Sequence, residues 1–230
     1  MNDIAQRLGD VRARIAASAA AAGRQAAAVT LIAVSKTRPA EAIREAYAAG
    51  QRDFGENYAQ ELAQKRESLA DLTDLRWHFI GALQSNKAKL VVPGTVLVHA
   101  IDRASTAQAL GRRARAHGEI AGVLVEVNVG DEASKSGLPF DEVEPFVVGC
   151  EGVEGVRVRG LMCVPPAAER PEASRPFFRR LRELRDRLQE GRPGFDLLSM
   201  GMTHDFEVAI AEGATHVRIG TAIFGARPTR

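Results

Sequence analysis

Val29-Thr30-Leu31-Ile32-Ala33-Val34-Ser35-Lys36-Thr37-Arg38-Pro39 joins two kinds of periodicity in one short stretch. Val29–Ser35 is a nearly continuous apolar run, the pattern of a strand covered on both faces. Lys36 breaks the run, and Pro39 opens a segment in which Ala42, Ile43, Ala46 and Tyr47 recur at helical spacing until Gly50. A buried strand, a short link and an amphipathic helix make the repeating unit of a parallel sheet.

Upstream of this unit, Ile4, Leu8, Val11 and Ile15 predict an amphipathic helix over residues 3–22, ended by Gly23. Downstream the unit returns. Arg52–Gly55 reads as a second, minimal strand, and Asn57 opens a helix with Leu62 and Leu69 on its apolar side. Trp77–Gly81 is the third strand, with Asn86 capping the helix after it. Val96–Ile101 precedes a helix over 104–117, and Val123–Val129 precedes a long loop and a helix near 139–149. Val156–Val164 leads to a helix over 174–190, and Leu197–Met200 to a helix over 204–212 closed by Gly213. His216–Ile219 is the eighth strand.

Eight alternations predict an α/β fold: a single (β/α)8 barrel of the TIM type with an extra N-terminal helix, residues 1–230 forming one domain. The length of 230 residues suits a barrel, for which roughly 200–250 is usual. A doubly wound open sheet is the alternative. Pro165–Pro176 is the most linker-like stretch, but it lies inside the alternation and reads as a surface loop.

With 45% hydrophobic and 26% charged residues the chain is not disordered, and a net charge of +2 with interleaved signs argues against nucleic acid as a partner. Arg179, Arg180, Arg182, Arg185 and Arg187, with Glu183, Asp186 and Glu190 among them, read as a solvated helix face laced with ion pairs, as does the run Arg112, Arg113, Arg115. No apolar run approaches the roughly 18 residues a membrane span needs. The N-terminus has no cleavable signal pattern, and Cys150 and Cys163, in no metal-ligand spacing, read as buried thiols in a reducing compartment. A cytoplasmic protein without a metal site is expected.

Barrel active sites lie where strands end and the following loops begin. Those positions hold Lys36 after strand one, Asn57 after strand two, His78 in strand three, Ser199-Met200-Gly201-Met202-Thr203 after strand seven, and Gly220-Thr221 after strand eight. Basic residues are nearly all arginine, the lysines being Lys36, Lys65, Lys87, Lys89 and Lys135, and only a lysine amine condenses with an aldehyde. At a strand mouth Lys36 is either a surface side chain snorkelling to water or a desolvated amine with a lowered pKa. Lys65, Lys87 and Lys89 are expected on helices in solvent, which leaves Lys135 as the rival amine.

Gly, Ser and Thr after strands seven and eight suit either tight turns or a phosphate, with a helix opening near His204 adding its positive end. Arg218, inside the eighth strand, is costly in a barrel interior without a partner. It is placed either in an ion pair with Glu126 or Asp102, or against a ring nitrogen of a ligand. Asn57 reads equally as a helix cap, and His78 as a core histidine. An amine and a phosphate cradle across one mouth fit a phosphorylated aldehyde.

At these residues the chain resembles the pyridoxal phosphate homeostasis protein family, whose fold is that of the N-terminal barrel of alanine racemase. The resemblance rests on Ala33-Val34-Ser35-Lys36-Thr37, Phe54-Gly55-Glu56-Asn57-Tyr58, Trp77-His78-Phe79-Ile80-Gly81 with Gln84-Ser85-Asn86-Lys87, Ser134-Lys135-Ser136-Gly137, Gly160-Leu161-Met162, Leu198-Ser199-Met200-Gly201-Met202, and Val217 through Gly225. It implies that Lys36 holds pyridoxal 5′-phosphate (PLP) as a Schiff base. It also implies that Ser199, Gly201, Gly220 and Thr221 surround the phosphate, that Arg218 faces the pyridine nitrogen, and that Asn57, His78 and Met200 belong to the cofactor-binding set. Two departures stand out. Arg38 replaces a frequent second lysine, and Thr203-His204-Asp205 replaces a more usual serine-led segment.

The function implied is a non-catalytic PLP-binding protein of intracellular vitamin B6 homeostasis. Its partners would be PLP, related B6 vitamers and apo-enzyme recipients, and a monomer is expected. A PLP-dependent amino-acid racemase is the alternative, but alanine racemase draws its second base, a tyrosine, from an additional β domain. Here the chain stops at Arg230 and has only Tyr47 and Tyr58. A Schiff-base aldolase acting on a sugar phosphate explains the amine and cradle equally well on chemistry alone.

Overall fold

The computed structural model describes residues 4–132 and 135–226. The expected first residue of the N-terminal helix, Ser134 of the motif around Lys135, and both ends of the expected 1–230 domain lie outside the described residues. In chain order the elements are α1 (Ile4–Ala21), β1 (Thr30–Val34), α2 (Ala40–Ala48), β2 (Asp53–Glu56), α3 (Ala59–Ser68), β3 (Arg76–Phe79), α4 (Ala88–Val91) and β4 (Thr95–Ile101). They continue with α5 (Ala104–Ala116), β5 (Ala121–Glu126), α6 (Phe140–Glu151), β6 (Val156–Met162), α7 (Arg175–Gln189), β7 (Leu197–Met202), α8 (Phe206–Ala211), β8 (His216–Ile219) and α9 (Thr221–Phe224).

The strands are parallel, pair in chain order and close, β8 returning to β1 with Ile32 opposite Arg218. The open-sheet alternative is thereby set aside. Closure follows from burial: each strand is apolar toward the helices, and an open sheet would leave two edges unpaired. The main core, between strands and helices, includes Phe54, Phe79, Leu110, Phe178 and Phe206. The extra helix α1 buries Leu8, Val11, Ile15 and Ala19, at three- and four-residue spacing, against α2, α8 and α9. Among the described residues no helix is long and apolar enough to cross a membrane.

Several elements differ from expectation for identifiable reasons. Strand five ends at Glu126 rather than Val129, because Asn128 turns the chain back: its Oδ1 accepts from Glu132 N at 3.2 Å and its Nδ2 donates to Glu132 O at 2.9 Å. Asn86 does not cap a helix but sits in a 3₁₀ turn, Ser85–Lys87, ahead of α4. Asn57 likewise lies outside α3, whose N-cap position is Tyr58. The segment after strand seven is helical only from Phe206, because Asp205 Oδ1 accepts from Met202 N at 2.8 Å and holds Thr203 and His204 in a turn. A single helical turn, α9, follows Gly220 where none was expected.

The arginine-rich α7 buries Phe178, Leu181, Leu184 and Leu188. Its ion pairs are not all local. Arg175, Arg179 and Arg182 converge on the buried carboxylate of Glu212 beyond α8. Cys150 and Cys163 are buried free thiols, pushed up by burial to about 11 and about 12, so both stay protonated.

Candidate functional site

Strand β1 delivers Lys36 into a tight turn, Arg38 N donating to Ser35 O at 3.0 Å. Thr37 takes a positive φ of 62°, unusual for a β-branched residue. What holds it there is α3. Thr37 N donates to Glu61 Oε1 at 2.6 Å, and Lys65 Nζ donates to Ser35 O, Glu56 Oε1 and Glu61 Oε1, each at 2.7 Å. Ser35 Oγ also donates to Glu56 Oε1, at 2.6 Å. The residues on either side of Lys36 are thus fixed by a buried ion cluster. Burial raises the Glu56 carboxyl despite the opposing pull of Lys65. Lys65, expected in solvent, is 7% exposed.

Lys36 lines a cavity of about 400 Å³ at the C-terminal mouth. Asn57, Arg218, Gly220 and Thr221 line the same cavity, so five of the expected cofactor residues meet there. Asn57 Oδ1 is buried with no hydrogen-bond partner. Gly220 leaves room by lacking a side chain, since a Cβ there would stand 3.3 Å from Val34 O. Ile80, Val164 and Met202 form apolar walls of the cavity, and Arg38, Thr203 and His204 line it too; the sequence places Met202 and Thr203 at this mouth but leaves Ile80, Val164, Arg38 and His204 outside the cofactor set. Position is the signal for those four, each standing just past the end of a strand.

His78, Ser199, Met200 and Gly201 do not line the cavity. Ser199 is fully buried, its Oγ accepting from Arg218 Nη1 at 2.6 Å and lying 2.8 Å from His99 Nδ1. His78 bonds His99 and Asp53 deeper in the barrel. Met200 is fully buried in the core. Gly201 has φ +92°, and a Cβ there would lie 2.6 Å from Ala209 Cβ and 2.9 Å from Phe206 Cα. Its glycine lets α8 approach β7. The helix expected to open near His204 opens at Phe206, with Asp205 at its N-cap position and the Asp205 carboxylate turned back to Met202 N.

Arg218 is 4% exposed, and its second donor, Nη2, reaches Cys163 O at 2.8 Å. The expected ion pair with Glu126 or Asp102 is replaced by these neutral acceptors. Burial and the neighbouring Asp102 charge push Glu126 up to about 7, with Arg218 pulling the other way. Among the described residues no cluster of His, Cys, Asp and Glu could hold a metal.

The class of protein follows from barrel and mouth together: residues 8–228 match the family described as alanine racemase, N-terminal domain. Within that class the chain belongs to the pyridoxal phosphate homeostasis proteins. It is 50% identical to the protein of that name from Pseudomonas aeruginosa, over 99% of this chain and 97% of the relative. The Aquifex aeolicus protein of the same name is 48% identical over 96% of this chain and 97% of its own length. PipY of Synechococcus elongatus, 38% identical, was solved with and without PLP, at TM-scores of 0.84 and 0.86. Each comparison covers 96% of this chain and all of that one.

Proposed function

We propose that this chain binds PLP covalently through Lys36 and serves intracellular PLP homeostasis without turning over a substrate of its own. The observation that carries the reading is the cavity in which Lys36 meets Arg218, Gly220, Thr221 and Thr203. The donor set suits the cofactor. A lysine matches an aldehyde, small and hydroxyl residues match a phosphate, apolar Ile80 and Val164 match a ring, and the buried, unpartnered Oδ1 of Asn57 is an acceptor without a donor. PLP bound in PipY supports the same reading.

When bound, PLP supplies an aldehyde carbon open to amine attack and a ring that withdraws electrons. Lys36 Nζ would be the amine that holds it, carried on a turn whose neighbouring residues Ser35 and Thr37 are fixed by the Glu56–Lys65–Glu61 cluster. Thr203, Gly220 and Thr221 would hold the phosphate, while the Ser199 hydroxyl already accepts from Arg218. Arg218 only donates, so against a pyridine nitrogen it leaves that nitrogen unprotonated and the ring a weaker electron sink.

Racemisation needs a base on each ring face, and neither tyrosine lines the cavity. Tyr47, on the outer helix α2, donates to Asp74, and Tyr58 is 57% exposed. Apo-enzymes that use PLP are the recipients this role requires. The deciding experiment is borohydride reduction of PLP-loaded protein followed by peptide mapping. The pyridoxyl group is expected on Lys36; its recovery on Lys135 would overturn the assignment.

A further inference from the structure

Arg218 is the visible end of a hydrogen-bonded chain that crosses the barrel. Beyond Ser199, His99 Nδ1 lies 2.8 Å from Ser199 Oγ and His99 Nε2 lies 3.0 Å from His78 Nδ1. His78 Nε2 then lies 3.1 Å from Asp53 Oδ1. The residues belong to β8, β7, β4, β3 and β2, and β4 and β7 are not neighbours, so the His99–Ser199 bond spans the lumen. Arg76 Nε and Nη2 close the far end on the Asp53 carboxylate at 2.9 and 2.5 Å.

The two ends dictate where each proton lies. A guanidinium only donates and a carboxylate only accepts. Burial alone would raise Asp53, but its bonds from His78 and Arg76 outweigh that and leave it lowered, hence ionised. Starting at Asp53, His78 must carry its proton on Nε2 and accept at Nδ1. His99 must then donate from Nε2 and accept at Nδ1, which only the Ser199 hydroxyl can satisfy. The Ser199 oxygen is left to accept from Arg218, as observed. The reverse order, with a doubly protonated His78, makes His99 donate to Ser199 and strands a buried hydroxyl proton without an acceptor. That outcome is unfavourable in a site this dry. The surroundings agree: burial holds His99 well below its ordinary value, and the buried guanidinium of Arg218 presses on it in the same direction. His216 packs its ring edge-on against both partners at centroid distances of 6.0 and 5.9 Å.

We infer that His78 and His99, both as Nε2–H tautomers, are positioning residues that fix the Arg218 guanidinium at the cavity through Ser199. The cofactor arm of this inference rests on the reading of the cavity above; the tautomer arm does not.

Nitrogen-15 imidazole spectra of the cofactor-free full chain at neutral pH test the first arm. Both rings are expected with Nδ1 unprotonated, and a ring protonated on Nδ1 would overturn the relay. For the second arm, His99→Leu is expected to shift the visible absorption of the PLP-loaded protein. It should also speed PLP release by at least about tenfold, the equivalent of losing one hydrogen bond to a charged group. His99→Gln, whose amide can donate to His78 and accept from Ser199, should restore both. Should His99→Leu not fold, Ser199→Ala carries the same expectation. Unchanged absorption and release in a folded His99→Leu or Ser199→Ala would overturn the positioning role. A wild-type protein that takes up no PLP would instead sink the reading of the cavity, leaving the tautomers to decide the relay.

Discussion

Lys65 Nζ donates to the carbonyl oxygen of Ser35 at 2.7 Å, one residue ahead of Lys36. A helix thereby reaches across to hold the strand end that presents the proposed cofactor amine. The same ammonium pairs with Glu56 and Glu61, so the anchor for that turn is a charged cluster with Lys65 and Glu56 almost wholly out of water.

Removing the cation should be costly. Lys65→Met leaves the Glu56 carboxylate buried and unpaired, a change expected to destabilise the fold by about 3–5 kcal/mol. Urea denaturation checks it. A loss near zero would mean that the cluster neither stabilises the fold nor anchors the turn.

Gly201→Ala should be destabilising without entering the cavity. The left-handed backbone and the approach of Phe206 and Ala209 together predict at least about 2 kcal/mol. The same substitution at Gly118, where φ is +68° but no atom lies within 4 Å, separates backbone strain from crowding. Thermal unfolding of the two variants should rank Gly201→Ala clearly lower.

Glu126 and His216 predict opposite pH slopes. The Glu126 carboxyl is raised from 4.5 to about 7, so its contribution to stability is complete below pH 4.5 and is lost as pH rises through about 7. Burial lowers His216 from 6.5 to about 3, so its contribution is present above 6.5 and is lost as pH falls through about 3. Glu126→Gln should remove a decline in stability between those first two values, and His216→Gln a decline on acidification below pH 6.5. Denaturation midpoints measured across both windows, wild type against each variant, decide this. A constant offset in either window rejects the corresponding shift.

PLP-loaded protein should exchange the Cα proton of alanine no faster than free PLP at equal concentration, followed by proton NMR in heavy water. His204, exposed and lining the cavity, is the side chain to watch. Rapid exchange abolished by His204→Ala would make it a base and replace the carrier reading with a catalytic one.

Lys135→Ala should leave cofactor attachment intact. Lys135 Nζ is tied to Glu132 and, at 3.3 Å, to Pro165 O, and it does not line the cavity. Loss of the borohydride-trapped adduct in this variant would make Lys135 the attachment site and overturn Lys36.

The alternation of strand and helix was readable from single stretches such as Val29–Ser35, because burial on both faces of a strand and one face of a helix writes a local period into the chain. Lys36 was readable for the same reason: a lone lysine at a strand's end has only one mouth to face. The length of α8 was not, since the Asp205 bond that delays it looks in sequence like an acid opening a helix. Lys65 was also misplaced, because helical spacing says which face a residue is on but not which carboxylates a neighbouring strand will set against it.

Local pattern and motifs are therefore enough for the barrel, its family and the presence of a lysine at the mouth of β1. Only the folded barrel reveals that the Ser199 hydroxyl accepts from Arg218 and that His99 and His78 continue that chain of bonds. Those contacts join strands that are distant in the chain, Ser199 and His99 being 100 residues apart. Local periodicity carries no trace of a partner across a lumen; only closure of the sheet brings donor and acceptor within reach.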